Sequence, residues 1–70
     1  MPESDWQTRR SEVIRTAGKV LRTLGRIDQV GPVETGHDSD RTINHAMYLS
    51  RELIELRDAV AALRLLLPPE

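Results

Sequence analysis

Apolar residues recur along this chain at alternating steps of four and three. In the first half they are Val13, Ala17, Val20, Leu24 and Ile27; in the second they are Ala46, Leu49, Leu53, Leu56, Val60, Leu63 and Leu67. This is the spacing of helices that pack along one another through a narrow apolar seam. The pattern predicts an all-α chain: a helix over about residues 5–30, a loop over 31–39 and a helix over about 40–67. Ser4 with Gln7 matches a capping box, and Asp5 suits the positive end of the helix dipole. Gly31-Pro32 stops the first helix, because glycine accepts the left-handed conformation at a helix end and proline cannot continue the helix. Ser39 or Asp40 is the expected N-cap of the second helix, and Pro68-Pro69 its stop. Two helices of matched length and one loop predict an antiparallel hairpin.

A hairpin alone leaves apolar surface over. Beside the first seam runs a second stripe, Ile14, Gly18, Leu21 and Gly25. The second helix carries Met47, Ile54 and Ala61 off its seam, and Ala59–Leu67 is apolar apart from Arg64, so Leu65 and Leu66 also need cover. Leaving such side chains wet forfeits several kcal/mol at about 25 cal/mol per Å², comparable with the whole stability of a small domain. These nine residues are therefore the expected partner-binding surface, either between two hairpins in a homodimeric four-helix bundle or against a larger protein. The stretch Arg15–Asp28 sharpens this expectation. It reads as two copies of one heptad, RTAGKVL and RTLGRID, with a glycine in each. A glycine inside a helix costs about 1 kcal/mol relative to alanine, so two of them predict a close approach by another helix.

Composition narrows the picture. Seventy residues make a single domain of marginal intrinsic stability. With no Phe, one Trp and one Tyr, the core must be aliphatic; Trp6 is expected to cover the bundle end near Leu63, Leu66 or Leu67. There is no cysteine, hence no disulfide and no thiolate chemistry. Net charge is −1, but the halves differ: residues 1–30 hold six basic against four acidic side chains, residues 31–70 four against seven. That asymmetry favours pairing of the halves with each other or with a second copy. "MPESDW" reads as no signal peptide, and no apolar run approaches a membrane span, so the expected compartment is the cytoplasm.

Candidate chemistry is sparse. Arg15, Lys19, Arg22 and Arg26 form a basic ladder on one helix face. An anionic partner, including nucleic acid, would meet it there; the simpler reading is a solvated face balanced by Glu12, Glu52, Glu55 and Asp58. No aromatic residue interleaves with the ladder for base stacking. In "HDSDRTINH", His37, Asp38, Asp40 and His45 are metal-ligating types, but no pair has the one-turn ligand spacing within a helix. His45 is followed by Ala46-Met47 rather than by the acidic residue of a phosphotransfer helix. No nucleophile elbow or phosphate-binding loop is present. The expectation is a non-catalytic protein–protein interaction module, an adaptor, small subunit or regulator, with no cofactor and no metal. A nucleic-acid-associated regulator using the ladder in a dimer is the alternative.

Overall fold

The computed structural model describes residues 3–66, with side chains from residue 5 onward. Helix α1 spans Glu3–Val30 and helix α2 spans Gly36–Arg64; they pack against each other as an antiparallel hairpin. Helix α1 begins at Glu3, so Ser4 lies in its first turn rather than at the N-cap expected of the capping box with Gln7, while the Ser4 side chain and Leu67 fall outside the described residues. Gly31 ends α1 with a positive φ of 71°, and its N–H donates to the Asp28 carbonyl at 3.1 Å. This is the left-handed glycine stop, followed at once by Pro32. Replacing Gly31 by Ala should lower stability by about 1 kcal/mol or somewhat more, because an L side chain is strained at that φ; thermal denaturation by circular dichroism reads the loss.

The connection is shorter than expected, residues 31–35 instead of 31–39, and α2 begins at Gly36. Its N-cap is Thr35, not Ser39 or Asp40. Thr35 is extended at φ −134° and ψ 165°, and its Oγ1 accepts from the Asp38 N–H at 3.1 Å. Asp38 reaches back to accept from the Glu34 N–H at 3.4 Å. With that cap satisfied one turn earlier, the segment from Gly36 to Ser39 winds into helix. His37 and Asp38, expected in the loop, therefore lie in the first turn of α2.

The hairpin is one helix thick. It measures 53 × 16 × 14 Å, with a radius of gyration of 16.3 Å; a compact chain of this length has about 11 Å. A single layer has little interior. Among the described residues the only buried hydrophobic side chain is Val20, and its buried companions are the threonines Thr16 and Thr23.

The contact between the helices is thus more polar than the seam predicted above. Thr16 Oγ1 donates to the carbonyls of Glu12 at 2.8 Å and Val13 at 3.1 Å, and Thr23 Oγ1 donates to the Glu52 carboxylate. Bonded in this way, threonine serves as a short β-branched filler. Val13, Val20, Ile27, Leu49, Leu56 and Leu63 face the opposite helix as expected, half-buried or better. Leu24, Ala46, Leu53 and Val60, also expected in the seam, are exposed. At 100° per residue, the apolar stripe of each helix is turned about 50° away from the line to its neighbour, and both turn to the same side.

Candidate interaction surface

The rotation gives the slab two unlike broad faces. One is charged. There Lys19 Nζ lies 3.4 Å from Glu55 Oε2, across the hairpin, and Arg15 Nη2 lies 2.8 Å from Glu12 Oε2. The Arg15 hydrogen bond and charge hold the Glu12 carboxyl below its ordinary value, and the same pair raises Arg15. All these side chains are well exposed, and exposed pairs of this kind contribute only about 0–1 kcal/mol. A shallow open groove of about 400 Å³ runs between Arg9, Arg15, Glu55 and Asp58. The basic first half and acidic second half therefore meet along this face. The ladder lies at the side of the hairpin rather than opposite the contact, and two of its four charges have acidic partners. Arg22 and Arg26 have no ion-pair partner among the described residues.

His45 is half-buried on the same side, beside Thr23, Arg26, Tyr48 and Glu52. Among the described residues no group of three His, Asp or Glu side chains is placed to hold a metal ion. The grooves are open and shallow, the least suitable shape for enclosing a small substrate.

The opposite broad face is aliphatic. From α1 it takes Ile14, Ala17, Leu21 and Leu24, and from α2 it takes Ala46, Leu53 and Val60. Ile14 is 55% exposed, Leu21 69% and Leu53 47%. Gly18 and Gly25 lie beyond Ile14 and Leu21, toward the back of α1, and a Cβ added at either would meet nothing within 4 Å. Within one hairpin, then, nothing requires them to be glycine.

Comparison of the chain with protein-family models, with curated proteins and with solved structures found no match in any of the three. The surface must be read from its own chemistry.

Of the residues expected at a partner surface, Ile14, Gly18, Leu21 and Gly25 gather on or beside the aliphatic face. Met47, Ile54, Ala61 and Leu65 do not join them. They are exposed along the back of α2, away from α1, together with Ile43. Leu66 belongs to neither group: it is half-buried near Asp5, Thr8 and Arg9 of α1. Trp6 is half-buried as well. The residues missed from the sequence are Thr16 and Thr23. A signal for the threonines was available, since each follows the arginine that opens a copy of the heptad repeat. Among the described residues no helix is long and apolar enough to cross a membrane.

Proposed function

We propose that this protein is a small non-catalytic interaction module whose aliphatic broad face associates with a second copy, giving a homodimeric four-helix bundle that serves as an adaptor or regulator of a larger protein. The observation that carries this reading is the inversion of the hairpin: threonines are buried between the helices while Ile14, Leu21, Leu24 and Leu53 lie exposed on one side. In a square arrangement of four helices the bundle axis lies about 45° from the direction to each neighbour, close to the rotation of both apolar stripes. A second layer on that side would turn Leu24, Leu53 and Val60 into core residues and supply the interior that a single layer lacks.

The exposed stripe on the back of α2 is the natural docking site for the larger partner, because pairing through the broad face leaves it free. The nucleic-acid reading is weakened by the Lys19–Glu55 and Arg15–Glu12 pairs, which neutralise half the ladder. Sedimentation over a range of concentrations, with helicity followed in parallel, tests the proposal. A dimer that loses helicity as it dissociates is expected, and a fully helical monomer at micromolar concentration would remove it. Titration with random duplex DNA at low salt should give no binding; binding that falls with salt and is abolished by Arg22→Glu would favour the alternative.

A further inference from the structure

The aliphatic face of α1 is self-complementary when two helices run in opposite directions. Reading along it gives Arg10, Ile14, Ala17, Leu21, Leu24 and Asp28, at steps of four and three without a break. The stripe has a cation at one end and an anion at the other. We infer that α1 packs antiparallel on α1 of a second copy, with Arg10 opposite Asp28, Ile14 opposite Leu24 and Ala17 opposite Leu21. This rests on the self-association proposed above and names the pairing within it.

Four observations support this pairing. First, every layer fits: the two large side chains at the ends, Ile14 and Leu24, face each other, and the small Ala17 faces Leu21. Second, the glycines receive a role. With the two-fold axis near Lys19 and Val20, Ile14 also reaches Gly25 of the copy, and Leu21 reaches Gly18. Each aliphatic knob then has a notch where the hairpin itself offers only open space.

Third, the same axis serves the second helix. The Thr23–Glu52 and Lys19–Glu55 contacts fix which residues of α1 and α2 lie at one height. Carried across at that height, the axis falls near Glu55 and Leu56, about one residue from the midpoint between Leu53 and Val60, so Leu53 of one copy lies within a helical turn of Val60 of the other. Arg57 is the one charge left close to its own copy, and it is turned toward Asp58 at 3.2 Å.

Fourth, the competing closed dimer fits worse. With the two-fold axis along the helices, α1 would lie on α2 of the copy at equal height. Arg10 would then fall beside Arg64, and Asp28 would meet Ala46 and Met47, where no cation waits. Like charges in contact disfavour that arrangement, and the antiparallel one pairs opposite charges twice.

Charge reversal and cross-linking of the full chain test the inference. Arg10→Asp or Asp28→Arg alone should weaken dimerisation roughly tenfold, and the double variant should return to within about threefold of the parent. The two residues are about 27 Å apart on one helix, so rescue requires two chains. Because the chain has no cysteine of its own, Ile14→Cys with Leu24→Cys should yield a covalent dimer on oxidation. Those positions are about 15 Å apart within one helix, too far to bridge there. If instead an equimolar mixture of Ile14→Cys and Val60→Cys chains cross-links while the first variant does not, the pairing of α1 with itself is overturned and self-association stands. Absence of rescue in the double reversal, with dimer mass retained, overturns the pairing in the same way. A helical monomer in sedimentation would overturn both.

Discussion

Leu56→Asp should leave the chain largely unfolded at room temperature. Leu56 sits in the C-terminal half of α2, half-buried against α1, on the side toward which the apolar stripes turn. An aspartate there carries a charge into the one apolar strip that the hairpin retains. No cation faces it from within that strip; Lys19, the nearest basic residue across the contact, is engaged with Glu55 at 3.4 Å. Loss of the leucine together with desolvation of the charge costs about 3–5 kcal/mol. A single-layer domain of this size holds no more than about 3–5 kcal/mol in total. The far-ultraviolet circular dichroism signal should collapse. Leu56→Met, which keeps the volume, should cost less than about 1.5 kcal/mol and remain helical.

Leu21→Asp combined with Leu53→Asp should act through association rather than through the hairpin's own contact. Both side chains are exposed in the hairpin, Leu21 at 69% and Leu53 at 47%, so an isolated hairpin would hardly register the change beyond a small loss of helix propensity. If two hairpins meet through this face, the double variant places four carboxylates in the new core and should raise the dissociation constant by at least about a thousandfold, or 4 kcal/mol. Sedimentation should report a monomer, with helicity falling at the same time. The matched control, Met47→Asp with Ile54→Asp on the back of α2, should leave the dimer mass unchanged. A dimer that survives the first pair and is lost with the second would move the interface to the back of α2.

How much of this was legible from the residues alone follows from what a heptad encodes. The steps of four and three at Val13–Ile27 and Ala46–Leu63 specify that each helix has one oily direction, and two such helices with a short loop fold back on each other. Periodicity does not say whether that direction points at the adjacent helix or between two neighbours. The answer depended on Thr16 and Thr23, which a hydropathy pattern scores as polar. Their hydroxyls are internally satisfied, and they fill the narrow space between the helices better than the larger leucines would. The N-cap was placed late for a related reason. Thr35, Ser39 and Asp40 are all good caps, and only the geometry of the turn after Pro32 selects the first of them. The basic ladder was visible as a row of charges, but its partner Glu55 is 36 residues away from Lys19 and no local pattern points to it.

The buried threonines bear on time as well as on shape. If two hairpins pair as proposed, a hairpin whose own contact is partly polar gains little by closing alone, so its closing and its pairing become one event, and refolding should be second order in chain concentration. Halving the amount of protein would then slow its folding as well as loosen the assembly. Under that pairing, a cell that makes too little would hold mostly open chains, which proteases remove.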